Sequence, residues 1–200
     1  TSVMEYLYPA KPEAPAPDPR GADLRLPVDV GIAFLPRERG WARSAFAVEE
    51  EVALLERVRA TFHGKDWVRR IQIVPSLYLT TSGGFAEMEQ IARLFAVDVL
   101  VMVSIDQVQV SHDNPLALTY LTIAGAFLIP GNNDETRTFV DAAVFAPETR
   151  TFLLRAPGRD RRRGMSTGMG VDGSLAHDAR QGMAAAMAEM TVNLEREVDA

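Results

Sequence analysis

The chain of 200 residues contains no cysteine. That excludes structural disulfides, thiolate metal sites, iron–sulfur ligation and a cysteine nucleophile. It does not locate the protein, because chains of either redox compartment can lack the residue. Surplus positive charge is also missing. The formal net charge is -6, so the dedicated basic face of a nucleic-acid binder is not expected. No apolar run approaches the roughly 20 residues that span a bilayer as a helix. Histidine is scarce, at three residues: His63, His112 and His177. They stand in separate segments, and none shares helical spacing with a second metal ligand. One serine has the Gly-x-Ser-x-Gly spacing, Ser166 in Gly164-Met165-Ser166-Thr167-Gly168. It falls in the glycine-rich stretch Gly158–Gly173, which reads as loop, and no nucleophile is assigned to it. Neither a catalytic set nor a cofactor is read from these residues.

What is present is an ordinary globular composition, 47% apolar and 24% charged, enough to build one core. The first 27 residues differ from the rest. Prolines at 9, 12, 15, 17 and 19 fix φ and remove donors, which predicts an extended spacer. At about 3.1 Å per residue it would reach some 30–35 Å. Val3, Tyr6, Leu7 and Tyr8 are unusual for a free linker and are expected to dock on the domain or on a partner. The division is therefore a tether over 1–27 and a single domain over 28–200.

Periodicity orders the domain. Val28–Pro36 reads as a buried strand, Phe46–Phe62 as a helix, Ile71–Val74 as a second strand and Phe85–Phe95 as a second helix. In the first helix Val48, Val52, Leu55, Arg59 and Phe62 define the stripe, widened by Leu54 and Val58. Val99–Ile105 is almost continuously apolar, as a central strand covered on both faces should be. Leu116–Ile129, Thr138–Phe145 and Thr151–Arg155 read as three further strands, with a hairpin turn at Ala146–Thr149. Gly158–Gly173 reads as a mobile, basic, glycine-rich loop. Leu175–Val198 closes the chain as a helix with Met183, Met187, Met190, Leu194 and Val198 in one stripe. The order β-α-β-α-β-β-β-β-α implies one mixed sheet of α/β (α+β) class: parallel where helices intervene, antiparallel where they do not.

Three features could carry function. Thr81-Ser82-Gly83-Gly84 could present N–H groups to an anion at a helix start, or be a plain capped turn. Asp98, Asp106, Asp113 and Asp141 lie in or beside strands, where paired carboxylates would serve glycoside chemistry and single ones would face solvent. Arg155, Arg159, Arg161, Arg162 and Arg163 form the basic cluster, a contact for an anion or a partner, or a solvated loop.

Two resemblances follow from these segments. The strand Val28–Pro36, the helix-to-strand passage Ile91–Val101 and the run Val140–Leu154 resemble the periplasmic α/β module of TolB N-terminal domains. The same module serves the curli secretion lipoproteins and the outer-membrane lipoprotein activators of penicillin-binding proteins. Ser2–Pro9, Val140–Phe145, Leu153–Gly158 and the closing Asn193-Leu194-Glu195 resemble the rhombotarget lipoproteins of bacteria that carry a rhombosortase. The resemblance implies a lipid-bearing cysteine ahead of Thr1 and a processing tail after Ala200. It also implies residence in the periplasm or at the outer membrane, with membrane contact only through that lipid. The expected function is non-enzymatic: binding another envelope protein or serving envelope assembly. The alternative is a hydrolase or transferase of envelope polymer, its site built from Thr80–Gly84 and Gly158–Gly173.

Overall fold

The computed structural model describes residues 3–7, 22–36, 48–110, 134–164 and 171–199. A short helix, α1 (Val3–Leu7), precedes strand β1 (Val28–Phe34). Helix α2 (Val48–Phe62) and strand β2 (Val68–Ile73) follow. A 3₁₀ turn at Ser76–Tyr78 leads to helix α3 (Gly84–Phe95). Strands β3 (Val99–Val110), β4 (Asp134–Ala146) and β5 (Thr151–Gly164) precede the long helix α4 (Val171–Val198).

The described strands form one mixed sheet in the order β2-β1-β3-β4-β5. β1 runs parallel to both β2 and β3, because α2 and α3 are crossover connections. β3–β4 and β4–β5 are antiparallel. The mixed α/β sheet and its central apolar strand follow the sequence expectation, with Val101 6% and Val103 0% exposed. The expected strand at Leu116–Ile129 lies outside the described residues.

Helices cover both faces. On one, α2 and α4 bury Leu55, Val58, Met183, Met187 and Met190 against valines of β1, β3 and β4. The methionine stripe is thus core. On the other, α3 buries Phe85, Met88 and Ile91 over Leu100 and Met102, and α1 adds Val3, Tyr6 and Leu7. The expected docking is present for Val3, Tyr6 and Leu7; Tyr8 and the proline tether over 9–19 lie outside the described residues. Tyr6 is fully buried, and its hydroxyl donates to Glu87 Oε2 at 2.7 Å. Burial first, then the hydrogen bond to that carboxylate and its charge, push the phenol well above its usual pKa.

Three local expectations are corrected. Gly158–Gly164 is not loop but the second half of β5, paired residue by residue with Asp134–Val140. α4 begins at Val171 rather than Leu175. In α2 the stripe is turned: Leu55, Val58 and Phe62 are buried, whereas Val52 is 39% exposed.

α4 lies unusually close to β4 and β5 because both surfaces are made of small residues. Ala186 packs in one cluster with Ala142 and Ala156, and Gly182 faces the fully buried Thr138, whose hydroxyl oxygen would lie 2.9 Å from an added β-carbon. A β-carbon on Gly158 would fall 2.1 Å from the Ala186 carbonyl oxygen. That glycine serves close approach rather than flexibility.

Candidate functional site

β5 is the last strand of the described sheet, and two side chains of α4 reach its outward backbone groups. Glu189 Oε2 accepts from the Arg159 backbone N–H at 2.9 Å, and the Asn193 amide donates to the Pro157 carbonyl at 2.7 Å. A partner strand cannot easily be added there. What β5 offers instead is a face. Ala156 and Gly158 turn toward α4, so Arg155, Pro157, Arg159 and Arg161 turn to the opposite side, where all four are exposed.

On the adjoining β4, Arg137, Phe139 and Asp141 share that face. The register sets Phe139 opposite Arg159, Asp141 opposite Pro157 and Arg137 opposite Arg161. Phe139 is 49% exposed, and Phe152 nearer the hairpin is 52% exposed. Arg155 Nε donates to both Asp141 oxygens at 2.7 and 2.9 Å. This pairing, hydrogen bond first and charge second, raises the guanidinium pKa further. It also fixes one arginine in orientation while the carboxylate remains partly open. Arg137 and Arg161 place two like charges in direct cross-strand register.

Of the sequence candidates, Arg155, Arg159 and Arg161 therefore share one face. Arg162 and Arg163 continue the strand, paired in register with Thr136 and Glu135. The aromatic half of the face, Phe139 and Phe152, was not singled out in the sequence. The period-2 alternation of β4 carried the only signal for it.

The other candidates have structural roles. Thr81 and Ser82 do not cap α3: its N-cap is Gly83, with no side-chain cap bond. Glu87, from inside the helix, reaches back to accept from the Thr80 N–H at 3.0 and 3.1 Å as well as from Tyr6. That carboxylate lies over Gly83 at the helix start, where an anion would otherwise sit. Asp98 closes the helix-to-strand turn, its Oδ2 accepting from the Asp29 N–H at 2.8 Å. Asp106 has its backbone in β3 opposite Phe139, and Asp113 lies outside the described residues. His63 and His177 are exposed, and His112 lies outside the described residues. Among the described residues no group of three or more His, Asp or Glu could hold a metal ion. The polymer-cleaving alternative needed a loop from Gly158, and residues 158–164 are strand.

A second feature lies on the α2/α4 face. Between these helices and the sheet is an apolar cleft of about 180 Å³, bordered by residues of all five strands. Leu26, 67% exposed, and the half-exposed Arg59 stand at its rim.

No protein-family model matches the chain, and no curated protein matches it. Solved structures do. A lipoprotein of Neisseria meningitidis is 12% identical, with 79% of this chain and 99% of that one covered and a TM-score of 0.38. A hypothetical protein of Chlamydia trachomatis is 12% identical, covering 85% and 96%, with a TM-score of 0.46. A minor lipoprotein of Acinetobacter baumannii is 6% identical, covering 84% and 94%, with a TM-score of 0.44.

Proposed function

We propose that this chain is the folded body of a bacterial envelope lipoprotein that catalyses no reaction and holds an acidic protein partner on the β4–β5 face. The observation that carries the reading is the exposed row Arg155, Arg159 and Arg161 beside Phe139. Arginine and aromatic residues together are the composition of interface centres. Planar guanidinium groups suit carboxylates, and a flat aromatic supplies apolar area at low entropic cost. Because Glu189 and Asn193 of α4 already engage the Arg159 N–H and the Pro157 carbonyl, the partner is expected to meet side chains and not a strand edge. Positive charge concentrated on one face of an acidic chain also orients the encounter. The envelope placement rests on the rhombotarget resemblance of Ser2–Pro9, Val140–Phe145 and Leu153–Gly158.

A photoreactive residue placed at Phe139 in the full-length protein, in its own bacterium, tests this. It should give an adduct of one discrete mass, with an acidic protein, that disappears in R159E/R161E. The same probe at Leu94, exposed on α3, should give none. Equal adducts at both positions, or an adduct indifferent to charge reversal, would contradict the proposal.

A further inference from the structure

The apolar cleft is separate from the β4–β5 face and has a different chemistry. Its wall is valine and leucine, with Phe62 and Trp67, and Arg59 is the single charged side chain among the described residues lining it. Sugars, nucleotides and metal ions need donors and acceptors at fixed places; a wall of this kind offers them none beyond Arg59.

Shape narrows the class further. Lining residues run from Ile71 on β2 to Leu154 on β5, which at roughly 4.8 Å per strand spacing is about 19 Å across the sheet. A volume of about 180 Å³ spread over that width makes a narrow channel. Compact apolar cavities of about 150 Å³ hold a single ring. A long, narrow one holds an extended chain, and not the two tails of a phospholipid.

The rim supplies the head contact. Arg59 is half exposed, and its Nη2 lies 2.6 Å from Glu56 on the same helix. An exposed pair of this kind contributes little, and guanidinium has five donors, more than Glu56 can use. A ligand carboxylate can therefore join or replace it. We infer that the cleft binds one unbranched fatty acid, its chain lying across the sheet beneath α2 and α4 and its carboxylate at Arg59.

The protein contains its own reporter. Trp67 lines the cleft, and the sequence has two tryptophans, so W41F leaves Trp67 alone. Titration of W41F with dodecanoate brominated near its methyl end should quench Trp67 saturably, at one per chain. Unlabelled dodecanoate should reverse the quench. R59Q should weaken the acid about tenfold, the scale of one lost charge-assisted hydrogen bond, and leave dodecanol unchanged. V101F, which fills the floor, should abolish binding. L153F, on the partly exposed wall, does the same work if V101F does not fold, as circular dichroism will show. The inference is overturned by an unsaturable quench, by binding that persists in a folded filled variant, or by R59Q weakening acid and alcohol alike. An apolar peptide that quenches where dodecanoate does not would overturn it as well.

Discussion

Gly158→Ala tests how α4 sits on the sheet with the least possible change. The added β-carbon would lie 2.1 Å from the Ala186 carbonyl oxygen, 2.6 Å from the Met190 nitrogen and 2.7 Å from its β-carbon. Two of these are backbone atoms, so no rotamer change relieves the overlap. Nor can the helix retreat cheaply, because Ala179, Met183, Ala186 and Met190 are all fully buried. Reaching ordinary contact requires α4 to lift by about 1.3 Å. A gap of that order forfeits about half of each dispersion contact along the seam, or more. Overpacking usually costs ~1–3 kcal/mol, and this case belongs at the upper end. The reduced freedom of the unfolded chain returns at most ~1 kcal/mol. The net expectation is ~2–3 kcal/mol. With a urea slope of about 2 kcal/mol/M, the midpoint should fall by roughly 1–1.5 M. Ala186→Gly should not rescue it, because the clash is with backbone. A midpoint shift corresponding to less than ~0.5 kcal/mol, at unchanged slope, would show that α4 stands farther from β5 than described.

Tyr6→Phe keeps the ring and removes the donor to Glu87, so urea denaturation at pH 7 should show a loss of ~1.5–3 kcal/mol. Because the phenol pKa is raised in the folded state, its contribution is fully present below the ordinary value of 10.0 and is lost as pH climbs above it. The stability difference between wild type and Y6F should therefore shrink above pH 10, measured by denaturation at stepped pH. Lys65, whose pKa is raised chiefly by its hydrogen bond to Glu195, is common to both chains and cancels. Leu194→Ala should cost ~2–5 kcal/mol, since the side chain is 5% exposed. Leu94→Ala, at 66% exposed, should stay within about 0.5 kcal/mol in the same thermal or urea assay.

The parts of this fold written in local periodicity were legible in the sequence. Val99–Ile105 had the continuous apolar run of a central strand, Met183–Leu194 had one helical stripe, and Val3, Tyr6 and Leu7 were too apolar for a linker. Gly158–Gly164 was not legible. Glycine, aspartate and four arginines have poor strand propensity, and only pairing with β4 and cover from α4 make them strand. Short hydroxyl side chains are the usual caps, yet the N-cap of α3 is Gly83 and no side chain caps it. Glu87 instead accepts from Tyr6, 81 positions away. The arginine row was visible as a cluster, but its common face with Phe139 depends on the β4–β5 register. The cleft depends on the spacing of α2 and α4 over five strands, which no local pattern encodes.

The central claim is that the β4–β5 face holds an acidic envelope protein, and co-sedimentation tests it directly. Envelope vesicles from the source bacterium are incubated with purified protein, before and after protease treatment of the vesicles. The wild type should sediment with intact vesicles, less so as salt rises, and should stay in solution once vesicle proteins are digested. R159E/R161E should fail to sediment in either case while unfolding at the wild-type midpoint. Sedimentation that survives protease, or that charge reversal leaves unchanged, would contradict the account.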